Sequence, residues 1–191
     1  MMSNQNVRQN IYDEQGKFCE DKARKAYLDM LERFKYPIPE RFKEELFVTD
    51  LGVGDFWNVG VGGTMWCNSQ EHGYFSFEIM LLPGQMIPEH WHVESEGGPA
   101  KMETWHTRYG MIYTFGEGEP TEPCPVEVPA SQKDYVTVHH CEPLELGQLR
   151  TLNRLGARHY MIAGPEGAVV TEYASYHDGE ALRFTDPRAS F

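Results

Sequence analysis

Between Gly84 and Gly110 the chain runs Pro88-Glu89-His90-Trp91-His92, then a polar turn at Gly97-Gly98-Pro99, then Lys101-Met102-Glu103 and an aromatic-rich run. This stretch limits the architecture more than any other. His90 and His92 are two apart, so on a β-strand both imidazoles project from the same face. Two imidazoles on one rigid strand can supply two ligands to a metal ion. Any further ligands must come from strands that the fold brings alongside, and a sheet that closes on itself does this readily.

The rest of the chain supplies such strands. After Phe47, short runs rich in β-branched and aromatic residues alternate with Gly, Pro and Asp turns. The pattern predicts strands over Phe47–Asp50, Phe56–Val61, Tyr74–Leu82, Met86–His92, Glu103–Phe115, Tyr135–His140, Leu144–Leu152, His159–Ala163 and Ala168–Ala174. Many short strands at such spacing point to an all-β sandwich or barrel. The run from Gly116 to Pro120, followed by Pro123, Pro125 and Pro129, reads as a long surface loop.

The N-terminal part differs. Residues 1–16 read as a flexible or loosely docked arm. From Phe18 to Phe34 the apolar residues Ala23, Tyr27, Met30, Leu31 and Phe34 recur on one helical face, and Pro37 and Pro39 end the helix. Residues from Pro39 to Leu46 add a short helical turn. One amphipathic helix has no core of its own, so residues 1–46 are expected to pack on the outside of the following domain or on a partner subunit. Residues 47–191 then form the single β domain.

Composition narrows the partners. The formal net charge of −12 disfavours nucleic acid and anionic membranes, which call for clustered Lys and Arg. The polar start lacks the apolar segment of a secretory signal, and no apolar run reaches membrane-spanning length. Cys19, Cys67, Cys124 and Cys141 are scattered without a C-x-x-C pair, as expected of reduced thiols in a cytoplasmic protein.

The spacing of the central stretch resembles the cupin superfamily. Five residues separate Gly84 from His90, His92 follows, and six residues separate Glu103 from Gly110. A second block contains Gly147 and Gly156, with His159 three residues after the latter. The resemblance implies a single cupin barrel, a double-stranded β-helix or jelly roll, with an N-terminal helical extension. It implies a divalent metal held by His90, His92, Glu103 and His159. A mixed histidine and carboxylate set suits Mn, Fe, Co, Ni or Zn rather than Ca. Glu96 has the usual short spacing after His92, but Gly110 follows Glu103 at the required interval. Glu94 and Glu96 sit beside a Gly-Gly-Pro turn and are read as solvated charges.

Within the cupins, the runs 83–92, 98–104, 118–121, 164–172 and 184–188 look like those of the D-lyxose ketol-isomerase family. That resemblance implies a homodimeric enzyme, with Mn²⁺ preferred. Such an enzyme interconverts free aldoses and ketoses such as D-lyxose and D-xylulose, or D-mannose and D-fructose, through an enediol. Glu172, which follows the apolar Ala168-Val169-Val170, matches the glutamate that moves the proton between C1 and C2. Lys101 matches a family lysine and would serve a substrate oxygen. Glu78 stands in a strand where many relatives carry a lysine. The same three-His-one-Glu set also serves dioxygenases, decarboxylases and non-catalytic sugar-binding cupins, and these remain the alternatives.

Strand parity assigns other side chains. Trp105 and Thr107 share the Glu103 face, and Trp105 is expected to line the pocket; His106 and Arg108 should face away. His140 is a candidate pocket wall. Asp186 lies in a family-like motif and is a candidate substrate contact, or else an ion-pair partner of Arg188. His72 and His177 read as surface residues.

Overall fold

The computed structural model describes residues 11–191, so the first ten residues of the expected N-terminal arm lie outside the described part. Nine strands form one curled antiparallel sheet: β1 (Phe47–Thr49), β2 (Val61–Ser69), β3 (Tyr74–Leu81), β4 (Met86–His92), β5 (Glu103–Gly116), β6 (His140–Leu144), β7 (Leu149–Thr151), β8 (His159–Ala174) and β9 (Leu182–Phe184). The spine is β8. One of its edges pairs with β5 along nearly its whole length, and the other pairs first with β4 and then with β3. Strands β6 and β7 extend the far edge of β5, and β1-β2 and β9 extend the other two branches. The sheet therefore curls around an interior, as the cupin resemblance implies.

Alternation along the strands separates two apolar layers. On β3, Phe75, Phe77, Ile79 and Leu81 point into the curl with Trp105, Met161, Ala168 and Val170. Met80 and the following Leu82 point outward into a second cluster, under the helices. The first half of β3 alternates, with Ser76 and Glu78 on the other face, and from Ile79 to Leu82 the chain is apolar on both faces, which are both covered there.

Helix α1 (Glu20–Phe34) covers the outer face with Ala23, Tyr27, Met30, Leu31 and Phe34, all buried. Each of the four larger side chains contributes roughly 1.5–3 kcal/mol through burial. The helix ends on Lys35 in the left-handed conformation (φ 53°), and the Tyr36 N–H closes on the Leu31 carbonyl. The Tyr27 hydroxyl donates to the buried Gln85 side chain at 2.6 Å, tying the helix to the turn before β4. A short second helix, α2 (Glu40–Glu45), buries Phe42. The arm is docked at Ile11 and Tyr12, while residues 13–17 are exposed: Ile11 is buried, and the Tyr12 hydroxyl donates to Asp50 (2.9 Å) and accepts from the Phe56 N–H (3.0 Å).

Four parts of the expected pattern differ. The predicted strand Leu144–Leu152 is interrupted: β6 ends at Leu144, a turn closed by the Gln148 N–H on the Glu145 carbonyl (3.0 Å) follows, and β7 resumes at Leu149. The segment 55–58 is a turn, closed by the Asn58 N–H on the Asp55 carbonyl at 2.9 Å, and the strand begins at Val61. The Gly62-Gly63 pair in this strand is a packing device. A Cβ on Gly62 would meet the Tyr27 ring at 2.7 Å, and one on Gly63 the Phe77 ring at 2.2 Å. Residues 130–135 form a 3-10 turn, and the strand starts at His140 instead of Tyr135. The predicted strands 159–163 and 168–174 are one strand, which continues through Gly164-Pro165-Glu166-Gly167. The kink there is absorbed by a register shift on β5 between Gly110 and Ile112. Gly110 has φ 64°, and a Cβ on it would lie 2.0 Å from the Gly167 carbonyl oxygen, so only glycine serves at this motif position.

Candidate metal centre and active site

Strand register brings distant residues together. His90 on β4 lies directly opposite His159 on β8. Their rings are 4.1 Å apart between centroids, and His92 follows on the same face of β4. Glu103 opens β5 and reaches the same point, with Oε1 2.9 Å from His92 Nε2 and Oε2 2.9 Å from His159 Nε2. One potential ligand atom from each of His90, His92, Glu103 and His159 falls within 4.8 Å of all the others, so the cluster could hold a metal ion. Glu94 and Glu96 are exposed.

The orientation of the imidazoles follows from their other nitrogens. Nδ1 of His90 donates to the Pro88 carbonyl at 2.8 Å, and Nδ1 of His159 to the Ala157 carbonyl at 2.9 Å. A carbonyl only accepts, so Nδ1 carries a proton in both rings, and Nε2 is the nitrogen each ring can offer to a metal. His92 Nε2, His159 Nε2 and Glu103 Oε2 are buried without a hydrogen-bond partner among the described residues. Buried polar atoms are rarely left so, and a cation bound between them would satisfy all three.

The electrostatics suit the same purpose. Burial, with His159 and His92 alongside, holds His90 well below the usual histidine value. Burial also lowers His92, against the pull of Glu103. Burial opposes ionisation of Glu103, yet Lys101, His92 and His159 hold it well below the ordinary carboxylate range. Neutral imidazoles and an ionised carboxylate are the donor forms that a divalent ion needs.

A second pair adjoins this cluster. Glu172 sits on β8 with Trp105 opposite on β5 and Phe77 opposite on β3. Its carboxylate accepts from the Lys101 ammonium, which also donates to Glu103 Oε1 at 2.8 Å and lies 4.2 Å above the Phe75 ring. Lys101 and Glu172 are both buried. Burial pushes Glu172 up to about 7; the Lys101 ammonium draws it down, and the Glu103 carboxylate adds to the rise. Burial draws Lys101 down, but Glu103 and Glu172 outweigh it and hold the ammonium above the usual lysine value.

Both groups open on one cavity, with about 600 Å³ of empty space counting its solvent-open mouth. Trp105 lines it, and apolar residues such as Phe75, Phe77, Ile87 and Phe184 form most of its wall. His106 and Arg108 turn the other way, as parity requires.

His140 and His177 stand apart from their expected places, while Asp186 takes the second of its two expected roles, the ion pair with Arg188. His140 does not line this cavity. It borders an adjoining open cleft, where its nitrogens are taken by the Glu119 carbonyl and the Glu142 carboxylate, each at 2.9 Å. Asp186 is also outside: its carboxylate binds Arg188 (2.7 Å) and Gln132 (2.8 Å) and ties down the tail. Neither position could be read from strand parity, because His140 begins β6 on the far edge of β5 and Asp186 follows β9. Glu78 is on the outer face of β3, where it accepts from the Tyr36 hydroxyl (3.0 Å), the Trp66 indole (3.3 Å) and Thr171 (3.1 Å). His177, expected on the surface, lines the cavity with its ring 6.0 Å from that of His92. It lies in the loop after β8, beyond the reach of any periodicity.

No family model matches the chain. A D-lyxose/D-mannose isomerase of Thermosediminibacter oceani is 38% identical over 160 residues, covering 84% of this chain and 87% of that protein. A D-lyxose ketol-isomerase of Cohnella laeviribosi is 33% identical over 166 residues, covering 87% and 90%. Among solved structures, the L-ribose isomerase of Cellulomonas parahominis with L-psicose superposes with a TM-score of 0.68 at 15% identity, covering 95% of this chain and 98% of that one. At that identity the likeness speaks for the fold alone.

Proposed function

The chain belongs to the D-lyxose ketol-isomerase family, and from that premise we propose that it is a metal-dependent aldose–ketose isomerase of free sugars. Its substrates are D-lyxose with D-xylulose, or D-mannose with D-fructose. The observation that carries the reading is the buried Lys101–Glu172 pair beside the His/Glu cluster in one largely apolar cavity. Isomerisation needs a proton moved between C1 and C2 and another between O1 and O2, with no external oxidant or reductant.

His90, His92, Glu103 and His159 would hold the metal, for which we propose Mn²⁺. When bound, such an ion polarises the sugar's carbonyl and hydroxyl oxygens and stabilises negative charge on the enediolate. Glu172 takes the proton from C2 of the aldose and returns it to C1. A carboxyl that titrates near neutrality gives and takes a proton with similar ease. Lys101 keeps Glu172 oriented, gives an ammonium proton to O1 and takes one back from the O2 hydroxyl, so that it ends the turnover as an ammonium. Trp105, directly across from Glu172, provides a flat wall for the sugar chain. His140 and Asp186 have no part in this proposal, since both are engaged elsewhere.

Of the N-terminal segment 1–46, the described residues 11–46 serve as a cover for the outer sheet face, and 47–191 serve as the catalytic barrel. Among the described residues no helix is long and apolar enough to cross a membrane. All four cysteines are free, and we place the protein in the cytoplasm as a homodimer. The test is a panel of free aldoses and ketoses, assayed anaerobically after chelation and again with added Mn²⁺. Conversion of D-lyxose that depends on Mn²⁺ and not on oxygen is expected; a strict oxygen requirement would point to another cupin chemistry.

A further inference from the structure

The isomerase reading commits nearly every polar group in the cavity. His90, His92, Glu103 and His159 belong to the metal set, and Lys101 and Glu172 to proton transfer. A five- or six-carbon sugar with O1 and O2 at the reacting end still brings hydroxyls on its remaining carbons. Most of the cavity wall cannot receive them, because it is made of side chains such as Phe75, Phe77, Ile87 and Phe184. Burying a hydroxyl without a partner costs about 1–3 kcal/mol. Apart from the Trp105 indole, His177 is the one polar lining side chain, among the described residues, that belongs to neither set.

His177 is also held as a binding group would be. Its ring packs on Phe75 at 5.3 Å and faces Phe191 at 6.3 Å. Its Nδ1 is buried without a hydrogen-bond partner among the described residues. Its main chain is clamped from β2: the Asn68 amide donates to the His177 carbonyl at 2.9 Å, and the His177 N–H donates to the Asn68 side-chain oxygen at 3.1 Å. Immediately after it, Asp178 accepts from Ser95 (2.7 Å) and from the Glu180 N–H (3.0 Å), which fixes the loop on its other side. A loop residue fastened at both ends, which lines the cavity and carries a ring nitrogen without a partner among the described residues, is pre-organised for a ligand.

We infer that His177 is a substrate-binding residue whose imidazole hydrogen-bonds a hydroxyl of the open-chain sugar beyond C2, with Asn68 as its positioning residue. The inference rests on the isomerase reading for the identity of the sugar, but not for the contact itself.

The test compares wild type with His177→Phe, which keeps the packing on Phe75, and His177→Gln, which restores a donor and an acceptor. Manganese content after loading, binding of D-arabinitol by calorimetry, and kcat and KM for D-lyxose are measured on each. D-Arabinitol is the reduced form of D-lyxose and cannot isomerise. Both variants should retain manganese. His177→Phe should weaken arabinitol binding about tenfold, the worth of roughly one hydrogen bond. KM should rise more than kcat falls, and His177→Gln should recover part of the loss. Asn68→Ala should weaken binding less, with no further effect when combined with His177→Phe. Unchanged arabinitol binding and KM in manganese-loaded His177→Phe overturn the inference, as does loss of manganese from both His177 variants or failure of the wild type to bind arabinitol. If the wild type isomerises no sugar while His177→Phe still weakens arabinitol binding, the isomerase reading falls and the contact stands. If D-lyxose turns over equally well in both, the contact falls and the isomerase reading stands.

Discussion

Glu103 shows what a single residue contributes here. Its carboxylate touches two imidazoles and one ammonium, and those neighbours keep it ionised despite burial. Glu103→Gln removes the charge from the ligand set, so divalent-metal affinity should fall by at least about tenfold to a hundredfold, the range seen even for outer partners of ligands. Glu96→Gln, on an exposed loop, should leave it unchanged; titration of both variants with Mn²⁺ reads the difference directly. His92→Ala takes a buried imidazole from the proposed metal cluster, and both bound metal and turnover should disappear, measured as metal per chain and D-lyxose conversion. Glu172→Gln should keep the metal while kcat drops by about 10²–10⁴-fold, the usual share of a positioned acid or base. Near-normal kcat in that variant would remove Glu172 from proton transfer.

Among the elements, α1 and β8 illustrate opposite cases. The helix was legible because its apolar residues recur at helical spacing, and the observed Glu20–Phe34 buries the same five side chains. It packs on the outer sheet face, away from the cavity. Leu31→Ala should therefore lower unfolding stability by about 2–5 kcal/mol, as for other fully buried leucines, while KM stays constant. Chemical denaturation together with steady-state kinetics tests both halves. Strand β8 was legible only as two pieces, because Gly-Pro-Glu-Gly is ordinarily a turn. Its continuity depends on the contact between Gly110 and Gly167, which joins positions far apart in sequence. Strand β2 was obscured in the same way: its glycines make room for rings from α1 and β3, and a sequence does not state which ring lies above which glycine.

At the level of the whole molecule, the tail closes the structure. Asp186 binds Gln132 from the 3-10 turn and Arg188 from its own segment, and the Ser190 N–H bonds back to the Leu51 carbonyl at 3.0 Å. Burial alone would raise Asp186, but the Arg188 and Gln132 hydrogen bonds hold it below the usual aspartate value. The unfolded chain therefore binds the proton first. The stabilisation is complete above the unfolded pKa of about 3.9 and is lost as pH falls through the lower folded value. Asp186→Asn should melt below wild type at pH 7, and the gap in Tm should close as pH drops below 4. A gap independent of pH would show that the carboxylate's charge is not what matters.

The sequence by itself determined the local and periodic features. These are the same-face pair His90 and His92, the inward parity of Glu103 and Trp105, the amphipathic helix, and a β-rich chain that needs closure. Each follows from the fixed geometry of a strand or helix. The tertiary structure alone decided what faces what. Strand register set His159 opposite His90 and Trp105 opposite Glu172. The curl of the sheet brought Lys101 onto both carboxylates, kept His140 and Asp186 out of the cavity, and carried His177 into it. Periodicity fixes the direction in which a side chain leaves its own strand, whereas its neighbour across the barrel depends on how residues distant in sequence pack.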